Sequence, residues 1–349
     1  MNVKLTNRIA SKLIKLKQNR SAFTTVASLE EIVNGATVQN GEFIDTNQSR
    51  ELFKQYAVNK RNIDQEAFDK AFPKLEIIHS VDLMKNPYLE NISLPLFENE
   101  RLKLETKFHM KNEYCIIDQP NQTSELMKTF KLGIFDGPAY TYTLKENGSI
   151  LDSVGPYEIN TMKKHINSAT GNVLVFGSGL AYYPYMLSLK NNVFKVVIVE
   201  SDEPIYNFIR RNILPLFSNN KVEIILSDYE NYMESHVNLN YDTVFLNCWR
   251  DTCSGAECIQ KFAKYELLYP NSKFQYWLED SILDTYVINI EEYFNAKVGT
   301  DEYQDFFKQV NPDLWRYMES IEDTISRPDQ INYYLTRKFA KKYLTSITK

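Results

Sequence analysis

No apolar run in the 349-residue chain approaches the roughly 18 residues that a membrane-spanning helix needs. The N-terminus has no apolar core of the kind a secretory signal carries, so the expected location is cytoplasmic. Cysteine is scarce, four in all, which excludes a disulfide scaffold in a chain of this size. Cys248, Cys253 and Cys258 recur every five residues, but zinc sites use closer pairs and four ligands. The nearest histidine in sequence is His236, so no metal is expected and the thiols are read as reduced. Repeats, low-complexity tracts and Pro/Gly linkers are also absent. The net charge of −5 argues against a general nucleic-acid binder.

Aromatic side chains are abundant, with 23 Tyr and 20 Phe. They would suit a cleft lined by rings, although an AT-rich genome produces the same bias. Basic residues gather at the two ends. Lys4, Arg8, Lys12, Lys15, Lys17 and Arg20 all precede the first carboxylate, Glu30. Leu5, Ile9, Leu13 and Leu16 recur among them at helical spacing, which reads as a docked helix rather than a transit peptide. Residues 337–349 carry five basic and no acidic side chains. If the ends met, they would form one patch for a phosphate-bearing or acidic substrate, or for RNA. Two solvated helix faces are the plainer alternative.

Four regions follow from the local patterns. Residues 1–130 read as a helical N-terminal domain: SLEEIVNGA, SRELFKQYAVNK and DQEAFDKAF have helical apolar spacing, and Ser28 with Glu31 fits a capping box. Residues 131–156 read as a β-hairpin and linker, with strand-like runs at 140–144 and 149–154 around Asn147-Gly148, a strong turn signal. Residues 157–285 alternate strands and helices: NVLVFG, FKVVIVES, KVEIILSD, YDTVFLNCW and SKFQYWLED are near-continuous apolar strands. Such strands predict an α/β fold with a doubly wound, mainly parallel sheet covered on both faces. Residues 286–349 read as a helical C-terminal extension.

Ligands of such sheets lie at the carboxyl ends of the strands, so those residues carry the chemistry. The first strand runs into Gly177-Ser178-Gly179-Leu180, a turn that lets ligand atoms approach the backbone. The second ends at Glu200-Ser201, where a carboxylate can hold two ribose hydroxyls. The third ends at Asp228-Tyr229, an acceptor and a stacking face for adenine. The fourth ends at Asn247, with Trp249 and Asp251 at the mouth of the cleft. Asp202 and Asp228 can equally be helix N-caps. Taken in order, the four strand ends point to an adenosine-containing ligand. NAD fits poorly, because Tyr182 stands where a dinucleotide fingerprint has its third glycine.

Residues 155–280 resemble the cofactor domain of class I S-adenosylmethionine-dependent methyltransferases, the nearest likeness being to uncharacterised spermidine-synthase-like members of low-GC bacteria. The resemblance rests on Pro156 and Glu158, Gly177 and Gly179, Glu200, Asp228, Trp249 and Asp251, and YWLED at 276–280. It implies S-adenosylmethionine as cofactor, with Gly177, Ser178 and Gly179 passing beneath it. Glu200 would hold the ribose, and Asp228 with Tyr229 the adenine. The usual acid-x-G-x-G-x-G is here Val175-Phe176-Gly177-Ser178-Gly179-Leu180-Ala181. Ala181 for the third glycine is a mild change. Val175 for the acid is not, and Glu158 is the candidate substitute.

The acceptor side offers Asp251 as a base, Trp249 as a platform and Tyr157 as a lid residue. The expected substrate is a small metabolite or peptide side chain. Two alternatives stay open: aminopropyl or aminocarboxypropyl transfer from the same kind of cofactor, and a non-enzymatic binder with a decayed motif. Val175 and Asn247 are the evidence for the second.

Overall fold

The computed structural model describes residues 1–27, 33, 45–235 and 240–346. Ser28 and Glu31, the expected capping box, lie outside the described residues, as does His236.

Residues 1–130 are not a helical domain. Helices Asn7–Ala27, Thr46–Arg61 and Gln65–Ala71 come early in the chain, but strands follow, among them β1 (Leu75–Ile78), β2 (Phe97–Glu98), β3 (Leu102–His109) and β4 (Tyr114–Ile116). The cause is a period of two: Leu102 and Leu104 are buried while Lys103 between them is exposed. No boundary falls at residue 131 either. β5 (Leu132–Phe135) pairs in parallel with β1, and β6 (Ala139–Glu146) pairs antiparallel with β3 along its whole length. β6 turns through Asn147 and Gly148, at φ of 49° and 84°, into β7 (Ser149–Val154). The hairpin is thus the edge of a four-stranded antiparallel sheet in the order β7-β6-β3-β2.

The second half holds the parallel sheet: β8 (Gly171–Phe176), β9 (Val193–Glu200), β10 (Val222–Leu226), β11 (Thr243–Leu246) and β12 (Lys273–Tyr276). Their order is β10-β9-β8-β11-β12, every pair parallel. Strand order reverses direction between β8 and β11, which makes their carboxyl ends the switch point of a Rossmann-like sheet. Successive residues of β8 feed opposite cores. Leu174 and Phe176 join Val197, Val199 and Leu246 against the C-terminal helices. Val173 and Val175 join Val196, Ile198 and Phe245 against the hairpin side. Each such side chain is essentially inaccessible, worth about 1.5–3 kcal/mol of burial. Of YWLED only Tyr276 belongs to the strand, because Leu278 takes φ 54° and Glu279 starts the helix Glu279–Val298.

Both terminal helices pack on Glu279–Val298, and four of their cations meet carboxylates. Lys15 meets Glu125, Arg20 meets Glu291, Arg337 meets Asp284 and Lys341 meets Glu279.

Candidate functional site

The turn after β8 is gripped from two sides. From within the sheet, Glu200 Oε2 accepts from Ser178 N at 2.9 Å and from Ser178 Oγ at 2.6 Å, and Oε1 accepts from Asp202 N at 2.9 Å. Gly177 has φ 84°, and a Cβ there would stand 2.1 Å from the main-chain oxygen of Asn247. Only glycine fits, by conformation and by space.

From outside the sheet comes Asp152, at the buried end of the hairpin. Its Oδ2 accepts from Leu180 N at 2.6 Å. Gly179 has φ 49°, and a Cβ there would meet the same oxygen at 2.1 Å. Burial pushes the Asp152 carboxyl up to about 7, the nearby Glu158 charge adding to it and the Leu180 amide opposing it. Behind the turn, the Tyr88 hydroxyl donates to Leu180 O, and Tyr182 packs edge-on against Tyr88 with ring centroids 5.7 Å apart. Tyr182 is therefore a core residue of the wall behind the turn. Ala181, at the third-glycine position, keeps a left-handed φ of 59° with its methyl fully buried.

The remaining candidates separate. Val175 is sealed in the apolar core, 1% exposed, so an acid there would have no water and no partner. Glu158 lies in the first turn of the helix Pro156–Ser168, where its Oε2 accepts from Gly155 N at 3.3 Å. Asp228 is the cap of Tyr229–Ser235, its Oδ1 accepting from Glu230 N and Asn231 N at 2.9 and 3.1 Å. Tyr229 sits edge-on to Phe176, and burial raises its hydroxyl. Ser201 is exposed and Asn247 half-buried at the strand ends. Tyr157 is a correction: it packs against the apolar cluster around Phe130 and Ile134, away from the cleft. Asp251 caps the helix Thr252–Leu268, its Oδ1 accepting from Ser254 N at 2.8 Å, and the Ser254 amide and hydroxyl hold it below the usual carboxylate range.

A cavity of about 550 Å³ opens between the hairpin, the loop after β11 and the start of Glu279–Val298. Asp152, Glu158, Trp249, Asp251 and Trp277 line it, with Glu146 and Arg250 at its rim. Trp277 Nε1 donates to Thr161 Oγ1 at 3.1 Å. Across the end of β8 runs a chain of ion pairs: Arg250 forks onto Glu146, Arg101 meets Glu146 at 3.1 Å, and Arg101 reaches Asp202 at 2.6 Å. Asp152, Trp277 and this chain were not singled out from the sequence. A lone acid inside the strand-like run SILDSV, two residues before buried Val154, was the available signal for the first.

No family model matches the chain, and no curated protein does either. Solved structures do resemble it in part. A protein of Streptococcus mutans described provisionally as an S-adenosylmethionine-dependent methyltransferase is 14% identical over 36% of this chain and 35% of its own, with a TM-score of 0.27. The spermidine synthase of Thermotoga maritima is 14% identical over 60% of this chain and 75% of its own, with a TM-score of 0.32. A Streptococcus agalactiae protein of the NADB-Rossmann superfamily is 13% identical over 54% of this chain and 96% of its own, with a TM-score of 0.28. The chain thus spans about a third of the length of the first of these proteins. Its Rossmann-like class rests on its own strand order.

Proposed function

We propose that the chain is an S-adenosylmethionine-dependent transferase, with methyl transfer as the reaction. The observation that carries this reading is the pairing of the Gly177–Gly179 turn with a buried carboxylate, Glu200, at the adjacent strand end of a switch-point sheet. Glu200 Oε2 accepts from Ser178 of the turn and Oε1 from Asp202 N, yet each keeps lone-pair capacity for a ribose hydroxyl. When bound, the cofactor supplies an activated alkyl group on a sulfonium. The chain's own task is to hold the acceptor in line with that group and exclude water.

The cavity beside the turn favours the acceptor's chemistry. Four carboxylates (Glu146, Asp152, Glu158, Asp251) face one guanidinium, Arg250, which Glu146 already occupies. That lining suits a neutral or cationic small molecule or side chain, and disfavours a phosphate. Trp249 and Trp277 offer it apolar surface.

Calorimetry with S-adenosylmethionine tests the binding half, with affinity expected for the parent and lost in Glu200→Ala. No heat from the parent would sink the reading. The released product tests the reaction: S-adenosylhomocysteine means methyl transfer, methylthioadenosine means aminopropyl or aminocarboxypropyl transfer.

A further inference from the structure

Asp152 is a buried carboxylate, 9% exposed, that no cation pairs with among the described residues. Its hydrogen bonds come from neutral main-chain amides, Leu180 N at 2.6 Å and that of Ser153. A carboxylate out of water and without a counter-charge is costly unless something positive arrives. It also lies on the cavity wall, in contact with the glycine turn. Glu158, the substitute expected from the sequence, has its Oε2 engaged at its own helix start.

We infer that Asp152 receives the α-ammonium group of the ligand's amino-acid tail, the role that an acid at position 175 would otherwise fill. The inference rests on the proposed cofactor reading and adds a residue to it. The acid has moved from the strand that feeds the turn to a hairpin that covers it. This relocation explains how position 175 is free to be a core valine. The charged and titratable groups facing Asp152 are Glu158 from the helix Pro156–Ser168 and Tyr88 from the helix Pro87–Asn91, with Glu146, Arg250 and Asp251 around the cavity. No lysine is among them.

Two probes separate this role from a structural one. S-adenosylhomocysteine carries the ammonium tail; methylthioadenosine shares the nucleoside and lacks the tail. By calorimetry on the full chain, Asp152→Asn is expected to weaken S-adenosylhomocysteine roughly 10- to 100-fold and methylthioadenosine less than about 3-fold. Equal losses for both probes, or no loss for either, would overturn the inference while leaving the cofactor reading intact. A selective loss in Glu158→Gln and not in Asp152→Asn would overturn it too. If the parent binds neither probe, the cofactor reading itself falls and takes this inference with it. Should Asp152→Asn fail to fold, the parent alone decides. Its preference for S-adenosylhomocysteine over methylthioadenosine is expected to shrink about tenfold from roughly pH 8.5 to pH 5.5, as the carboxylate protonates. A preference that stays constant across that range would refute the assignment.

Discussion

Glu200 comes to the glycine turn from inside the parallel sheet, while Asp152 comes from a hairpin in a different sheet. Both are buried, and both accept main-chain amides of the same turn. Glu200 receives three donors at hydrogen-bond distance from Ser178 and Asp202. Asp152 receives Leu180 N, faces Glu158, and is pushed up to about 7. The same side-chain chemistry is therefore anchored by three donors on one wall and left without a counter-charge, among the described residues, on the other. Glu200 is fixed in place with acceptor capacity to spare. Asp152 lies at the edge of the cavity.

The glycines give the largest test of that contrast. Gly177→Ala would drive a Cβ onto main chain, at Asn247, whereas Gly179→Ala would drive one onto the Asp152 side chain. Gly177→Ala should cost about 4 kcal/mol or more in chemical denaturation, with Gly179→Ala costing less. Only the second should be partly rescued by adding Asp152→Ala. Equal rescue of both would show that the two walls are not separate.

The pH dependence of stability comes next. An acid whose folded value lies near 7, above its unfolded value near 4, keeps its proton in the folded state while the unfolded chain has lost it. Stability therefore falls as pH rises from about 4 to about 7 and levels above that. Asp152 contributes up to about 4 kcal/mol of this loss. Glu291, raised by burial to about 7 as well, contributes in the same direction. Asp152→Asn should flatten part of the slope in urea titrations at stepped pH; an unchanged slope would mean that the carboxylate is solvated.

Glu200→Gln keeps the shape of the side chain but turns an amide NH₂ toward one of its donors. It should cost about 2–3 kcal/mol by thermal denaturation, from the main-chain donor left unpaired. Arg101→Ala removes a half-exposed link between Glu146 and Asp202 and should cost about 1 kcal/mol, less at high salt. Ala181→Gly is the smallest. Relief of a left-handed backbone, about 1 kcal/mol, is offset by loss of a buried methyl, so stability should move by less than about 1 kcal/mol.

The sequence made one wall readable and left the other obscure. The parallel strands announce themselves because both faces are buried, so their residues are apolar without interruption, as in Val173–Phe176 and Val196–Val199. Glu200 stands out because it ends such a run. β3 was lost among helical patterns because its outer face carries Lys103, Glu105 and Lys107, which suit either structure. Asp152 was missed because nothing in one chain says which sheet edge will fold over which turn. Asp251 also serves as a cap: an acid three residues before Ser254 at a helix start accepts from its amide, and that spacing is visible in the sequence.

The turn is also held by residues that are far away along the chain. Leu180 takes its carbonyl partner from 92 positions upstream and its amide partner from 28 positions upstream. During synthesis, Tyr88 and Asp152 emerge first and have nothing to bind until β8 follows them. The amide of Leu180 is thus a late witness. It becomes protected from exchange with solvent only once both halves of the protein have closed on one another, and it reports their joint opening rather than the breathing of either half.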